Sequence, residues 1–288
     1  MTAAEDNGFH IEAGLGVSSG TLLHRQPELR DLSVETIIPG PDGSPAEFLF
    51  GAVDLRPGQG LPLHSHSHAE TVFVVDGRVQ VQRGRAIAEV TGPGAAYFPA
   101  GVAHGVREQG GAAARVLICY QDARPGWEVT SELEEGRDQS RWPNPNIIRG
   151  TDPLYRWALV EDYESWLAVE PTKGWTGKMR YLLSPDRGAD DVVAGTGLTA
   201  PNVHYTVHRH EPAELYYVLS GSGCIYVGTE AYPVLEGSTV YVPPSQSHGI
   251  DTFESHLKTC WVYGLARCGA DWTWEALEPI YNVPRHRS

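Results

Sequence analysis

The sequence predicts an all-β fold built twice, and three observations carry that expectation: a strand-and-turn composition, a repeat at a constant offset, and the same ligand-capable side chains in each copy. The chain has 288 residues with 32 glycines and 21 prolines. These residues punctuate short runs rich in valine, tyrosine and phenylalanine, a pattern of many strands and turns rather than long helices. With 41% apolar and 20% charged residues the composition is that of an ordinary globular protein with ample material for a core. The length suits one large domain or two of about 144 residues.

The repeat decides for two. "LHSHSHAETVFVVDG" at 63–77 returns as "VHRHEPAELYYVLSG" at 207–221. His64 and His208, His66 and His210, Glu70 and Glu214, and Gly77 and Gly221 each stand 144 positions apart. Pro99 and His104 of "FPAGVAHG" match Pro243 and His248 of "VPPSQSHG" at the same offset. Such a coincidence of special residues marks an internal duplication. We therefore expect one domain over 1–144, with its core at about 45–120, and another over 145–288, with its core at about 185–265.

Each copy reads as strands closed by glycine-containing turns. In the first, "TVFVVDG", "VQVQRG", "AAYFPAG" and "RVLICY" are strands; in the second, "LYYVLSG", "GCIYVG", "STVYVPPS" and "LKTCWVYG" answer them. The charged, proline-rich segment after Tyr120 reads as a linker with a short helix in "EVTSELEEG". "DWTWEALEPI" at 271–280 is the best remaining helix candidate.

A formal charge of −14 disfavours nucleic acid and anionic membranes as partners, because both reward basic patches. The acidic start "MTAAEDNGFHIEAGLG" does not read as a signal peptide, and no run approaches the roughly 18 apolar residues of a membrane span; the expected location is cytoplasmic. Cys119, Cys224, Cys260 and Cys268 show neither CxxC spacing nor disulfide density, so buried reduced thiols are expected.

The duplicated residues have metal chemistry. On a strand His64 and His66 share a face, as do His208 and His210. Glu70 and Glu214 open apolar runs, where a buried carboxylate needs a cation. His104 and His248 follow a proline turn that can aim the ring inward. Three imidazoles and a carboxylate suit a divalent transition metal, with Fe(II) first and Mn, Ni, Cu or Zn after it, and suit Ca(II) or Mg(II) poorly. Four protein ligands on an octahedral ion leave two positions for substrate, dioxygen or water.

"GQGLPLHSHSHAETVFVVDG" (58–77) fits G(X)5HXH(X)3E(X)6G, and "PAGVAH" (99–104) fits PXG(X)2H; together they resemble the two cupin motifs. "HRHEPAELYYVLSG" and "GSTVYVPPSQSHG" resemble them again, so the chain is similar to a bicupin. The resemblance implies two tandem double-stranded β-helix, or jelly-roll, barrels with few short helices, and a His3Glu metal site in each. In the second copy Asn202 and Ser245 stand where the motifs have glycine, and "GAAYFP" is one residue short before Pro99; altered loop geometry with the metal retained is the expected effect.

Differences between the copies point to a division of labour. Tyr216, where the first copy has Val72, is placed to serve as general acid or base or as a substrate anchor, against the plainer role of core packing. His204 shares the strand parity of His208, so it either lines the C-terminal pocket as a proton shuttle or sits on a solvated loop. His68, matched by Pro212, is the extra imidazole: it supports a ligand from behind, replaces one, or faces solvent, the last being the simplest expectation.

Bicupins with three histidines and a glutamate in each half resemble the quercetinase and oxalate decarboxylase groups. That implies a metal-dependent oxidoreductase of dioxygenase type, acting on a small oxygenated or aromatic organic substrate with dioxygen. The pattern HXH(X)3EXY(X)4G in the second half is also similar to cupin dimethylsulfoniopropionate lyases, which implies non-redox isomerase, lyase or hydrolase chemistry using Tyr216 or His204. A small-molecule-binding bicupin without turnover is the third expectation. Cupins often pair through strand edges, so a homo-oligomer belongs with these.

Overall fold

The computed structural model describes residues 9–11, 32–38, 49–120, 128–129, 177–183, 189, 192–264 and 275–276. Among them every regular element is a strand. In chain order these are β1 (Phe9–Ile11), β2 (Ser33–Ile38), β3 (Leu49–Leu55), β4 (Gly60–Ser65), β5 (Glu70–Asp76), β6 (Arg78–Arg83), β7 (Ala86–Thr91), β8 (Gly94–Phe98), β9 (His104–Glu108), β10 (Ala114–Tyr120) and β11 (Glu128–Val129). They continue with β12 (Gly177–Leu183), β13 (Val193–Thr199), β14 (His204–Arg209), β15 (Glu214–Val227), β16 (Glu230–Leu235), β17 (Thr239–Val242), β18 (His248–Asp251), β19 (Leu257–Tyr263) and β20 (Glu275–Ala276).

The chain divides into two compact units, one holding β2 to β11 and the other β1 with β12 to β20. The first is a pair of antiparallel five-stranded sheets, ordered β2-β3-β10-β5-β8 and β11-β4-β9-β6-β7. Alternating side chains face one core between them: Val72 and Val74 of β5, Val79 and Val81 of β6, Val106 of β9, and Val116 and Ile118 of β10 are all buried. Each such valine or isoleucine removed from water contributes about 1.5–3 kcal/mol, and its branched side chain suits the pleated surface.

The second unit repeats these neighbours. β12, β13, β19, the first part of β15 and β17 follow one another as β2, β3, β10, β5 and β8 do, while β20, β14, β18, the second part of β15 and β16 match β11, β4, β9, β6 and β7. "LYYVLSG" and "GCIYVG" are thus one strand rather than two. β15 pairs β17 and β19 through its first residues, then turns at Gly221 to pair β16 and β18. Gly221 has φ 84° and Gly77 has φ 83°; a Cβ would run into the His256 carbonyl oxygen at the first and lie 2.7 Å from that of Ala113 at the second.

β1 extends the second unit, pairing Phe9 with Tyr241 and Ile11 with Thr239. In the segments where helix is expected the described residues are strand: Glu128–Val129 pairs with Ser65 and His64, and Glu275–Ala276 with Arg209 and His208. The rest of "EVTSELEEG", of the 271–280 segment and of the linker lies outside the described residues. Pairing with a sheet edge satisfies backbone groups that a short, marginal helix would leave dependent on propensity alone.

The expected change of loop geometry in the second copy does not occur. Asn202 has φ 58° where Gly58 has φ 79°, and Ser245 has φ 61° where Gly101 has φ 70°. Asparagine tolerates this left-handed region through its short polar side chain. The Ser245 loop also keeps its tie: Gly101 N–H donates to the His66 carbonyl at 2.7 Å and Ser245 N–H to that of His210 at 2.9 Å. At the other turn the partner changes, Gly58 N–H donating to the Glu108 carboxylate and Asn202 N–H to the Phe253 carbonyl.

Candidate metal centres

Each centre is assembled from strand ends. His64 lies near the end of β4 and His66 just beyond it; Glu70 and His104 are the first residues of β5 and β9. Cross-strand pairing of His64 with His104, and of His208 with His248, fixes two imidazoles of each set side by side. Their ring centroids are 4.4 and 4.2 Å apart. The structure brings together His64, His66, Glu70 and His104 in one set and His208, His210, Glu214 and His248 in the other, all buried, with the ligand atoms of each set within 4.8 Å of one another.

For five of the six rings the backbone determines which nitrogen is available. His64 Nδ1 lies 2.8 Å from the Pro62 carbonyl oxygen, His66 Nδ1 2.5 Å from that of His68, and His104 Nδ1 2.6 Å from that of Val102. In the second centre His210 Nδ1 lies 2.9 Å from the Pro212 carbonyl oxygen and His248 Nδ1 2.9 Å from that of Gln246. A carbonyl only accepts, so Nδ1 carries the proton and donates it, and in the neutral ring Nε2 keeps its lone pair.

Those nitrogens converge on the carboxylate. Glu70 Oε2 lies 2.9 Å from His66 Nε2, 2.7 Å from His104 Nε2 and 3.6 Å from His64 Nε2. Glu214 Oε2 lies 3.1 Å from His210 Nε2 and 3.0 Å from His248 Nε2. Lone pairs facing a carboxylate in a buried site repel unless protons or a cation come between them. The second oxygens, Glu70 Oε1 and Glu214 Oε1, are buried without a hydrogen-bond partner among the described residues. Oriented Nε2 lone pairs, a backbone hydrogen bond behind five of the six rings and an unsatisfied carboxylate oxygen fit a divalent transition metal.

With no ion between them, a ring that also carries a proton on Nε2 donates to the carboxylate instead, and the shifts of the two carboxyls reflect that state. Burial pushes the Glu70 carboxyl up, but the charge and hydrogen bonding of His104, with His64 and His66, overrule it and hold the group well below the usual range. For Glu214 burial is likewise overruled, by His210 and His248, and the carboxyl is drawn down to about 2. Burial lowers His104 in spite of Glu70, favouring the neutral ring a metal requires.

Around these ligands the copies diverge. Tyr216 donates its phenol proton to Glu214 Oε2 at 2.8 Å. Burial, then the Glu214 charge, raises its pKa well above the ordinary value, so it is a donor at neutral pH. Phe98 stacks on His104 at 4.4 Å, at the position that Val242 fills in the second copy. Tyr120 and Tyr263 meet His66 and His210 edge-on at 4.9 and 4.6 Å. Sequence reading passed over both tyrosines because their offset is 143, not 144; the strand pairings of Tyr120 with Glu70 and Tyr263 with Glu214 reveal the equivalence.

His204 is not one of the four residues of the C-terminal set. A register shift between Tyr205 and His208 breaks the alternation, so Tyr205 packs against the core and its ring meets His208 at 5.7 Å. His204 takes the opposite face, where Nδ1 donates to Asp251 Oδ1 at 2.6 Å, and Tyr226 donates to Asp251 Oδ2 at 2.6 Å. His68 supports His66 through its backbone carbonyl while its ring meets Ser67. Pro212 supplies the same carbonyl to His210, which explains why proline can stand there.

Comparison with known proteins agrees with this architecture. Residues 51–120 match the family model for the cupin domain, and residues 184–257 that for dimethylsulfoniopropionate lyase. Germin-like protein 3-8 of Oryza sativa subsp. japonica is 34% identical over 143 residues, 48% of this chain and 61% of that protein. Dimethylsulfoniopropionate lyase DddW of Ruegeria pomeroyi is 27% identical over 110 residues, 38% of this chain and 68% of that protein. The salicylate 1,2-dioxygenase of Pseudaminobacter salicylatoxidans superposes with a TM-score of 0.70 at 15% identity, covering 95% of this chain and 89% of that one. A mutant oxalate decarboxylase of Bacillus subtilis gives 0.61 at 17% identity, over 85% and 75%. At these identities the structural likeness is one of fold, that of cupin barrels.

Proposed function

We propose that this chain is a metal-dependent bicupin enzyme of dioxygenase type, acting on a small oxygenated or aromatic organic substrate. His64, His66, Glu70 and His104 hold one divalent transition metal and His208, His210, Glu214 and His248 another, with Fe(II) the first candidate. The observation that carries the proposal is the convergence of backbone-oriented Nε2 atoms on a carboxylate whose second oxygen is unsatisfied, found in both copies. A metal there supplies Lewis acidity and open coordination positions for substrate and dioxygen.

The chain's own residues then have defined tasks. The carbonyls of Pro62, His68 and Val102 keep the ligand tautomers fixed, while Phe98 and Tyr120 wall the first centre with apolar ring surface. Structural neighbours of the same fold include salicylate 1,2-dioxygenase bound to gentisate, which supports an aromatic acid as a first substrate to try.

A second reading belongs to the C-terminal centre. Tyr216 is a buried, protonated phenol on the ligand carboxylate, and the match to the dimethylsulfoniopropionate lyase model covers this half. Proton transfer through Tyr216 in an elimination is the chemistry that pairing supports.

Metal analysis of the purified protein, joined to oxygen uptake with salicylate, gentisate and dimethylsulfoniopropionate, tests both. Iron, manganese, nickel or copper with substrate-dependent oxygen consumption is expected. Zinc with no uptake, and release of an eliminated product, moves the assignment to the lyase; two centres devoid of metal overturn both.

A further inference from the structure

We infer that Asp251, His204 and Tyr226 are positioning residues of the C-terminal metal centre, a staple across three strands that sets where His248 stands against His208. The inference rests on the proposed function only for the metal held by His208, His210, Glu214 and His248.

β18 has four residues, and its two ends have different tasks: His248 opens it as a ligand and Asp251 closes it. It lies between β14 and β15, the strands that bring His208 and Glu214 to the centre. Asp251 is fully buried, and each of its carboxylate oxygens accepts from a different neighbour. His204 Nδ1 of β14 donates to Oδ1 at 2.6 Å, and the Tyr226 hydroxyl of β15 donates to Oδ2 at 2.6 Å. A buried carboxylate is costly without such partners, and hydrogen bonds to an ionised group are the strong kind. The cluster therefore ties β18 to both flanking strands at the end opposite the ligand.

These ties act where the ladder is weak. β14 pairs with β18 at His204–Asp251 and Tyr205–Ile250, shifts register, and pairs again at His208–His248. A shift of this kind interrupts the ladder and lets a strand bend, so backbone pairing alone does not fix the two imidazoles side by side. The His204–Asp251 bond holds the strands in register on the far side of the shift. On the other flank Tyr226 directly precedes Val227, the strand partner of His248.

The first barrel holds the equivalent ligand by other means. Gly60, Gln82 and Arg107 stand 144 positions before His204, Tyr226 and Asp251. Gly60 pairs with Arg107 as His204 does with Asp251, and a register shift follows there too. Gly60 has no side chain to offer, Arg107 is exposed, and Gln82 donates to the Gly84 carbonyl at 3.0 Å. His104 instead has Phe98 stacked on its ring at 4.4 Å, where the second barrel has Val242. One ligand is held by its ring face and the other through its strand.

Cobalt(II) bound to the Glu70→Ala protein, in which the C-terminal centre is the remaining site, tests this. Its visible absorption reports ligand geometry, and its release to EDTA reports how firmly the ligands are held. His204→Ala, Asp251→Asn and Tyr226→Phe are expected to leave the cobalt stoichiometry unchanged, shift the visible bands and speed release by about tenfold or more. His204→Asn, whose amide donates from the place of Nδ1, should stay close to the parent in both readouts. Val234→Ala, a core truncation on β16, should lower the melting temperature and leave the bands in place. The proposal is overturned if His204→Ala and Tyr226→Phe melt lower but keep the parent's spectrum and release rate, as a purely structural cluster would, or if Val234→Ala shifts the bands equally. A parent protein that binds no cobalt fails the metal assignment itself, and the staple's role with it.

Discussion

Tyr216 donates its phenol proton to Glu214 Oε2 over 2.8 Å, whereas the matching position beside Glu70 is held by Val72, a fully buried core residue. One substitution between otherwise superposable ligand sets places a proton donor at only one of two centres. Tyr216→Phe removes a hydrogen bond to a charged group, worth about 1.5–3 kcal/mol. The variant should keep its metal and lose stability by that order in chemical denaturation. If the C-terminal centre works by proton transfer, its kcat should fall by about 100-fold or more.

Glu70→Ala and Glu214→Ala should each remove one of two bound metal ions, and the double variant both, as counted by elemental mass spectrometry. Chelation of the wild-type protein should lower its melting temperature, since saturation at about 100 times Kd contributes roughly 2.7 kcal/mol. Unchanged metal content in both single variants sinks the ligand assignment.

The left-handed turns should rank by the space around them. At Gly58 (φ 79°) an added Cβ would have nothing within 4 Å, while at Gly221 (φ 84°) it would run into the His256 carbonyl oxygen. Gly58→Ala should cost about 1 kcal/mol for the backbone conformation alone. Gly221→Ala should cost several times more and displace β15. Ser245→Gly should be neutral or stabilising. Equal melting temperatures for the two alanine variants would contradict this ranking.

His204→Ala leaves Asp251, a fully buried carboxylate, with the Tyr226 hydroxyl but without its histidine. Stability should fall by about 1–3 kcal/mol, read by thermal denaturation, while the metal content of the C-terminal centre stays at the wild-type value. Loss of that metal would place His204 in the centre after all.

Cys119, Cys224 and Cys260 are buried and unbridged, and burial pushes the Cys260 thiol up to about 12. Thiolates are the reactive form, so none of the three should be alkylated in the native protein at neutral pH. Peptide mapping after brief iodoacetamide treatment checks this; labelling of Cys260 before unfolding would overturn it.

The ligand sets were legible because duplication acts as a ruler: two copies of HXH, Glu and a later His at one offset select His64, His66, Glu70 and His104 out of a histidine-rich tract and set His68 apart. The strands were legible as well, since alternation and glycine turns are local signals. β11 and β20 were missed, although "GWEV" and "TWEA" repeat around them at an offset of 147. Their two-residue pairings are long-range contacts that no local propensity announces.

By itself the sequence determined the all-β fold, its duplication and the chemistry of two His3Glu sets, because those depend on residue type and spacing. Tertiary structure decided what surrounds them. A register shift after Tyr205 carries that ring to the core and sends His204 to Asp251, against simple alternation. Strand pairing sets Tyr120 beside Glu70. Parity along one strand is a local property, but bulges and cross-strand register arise only when strands meet, and they decide which side chain shares a face with a ligand.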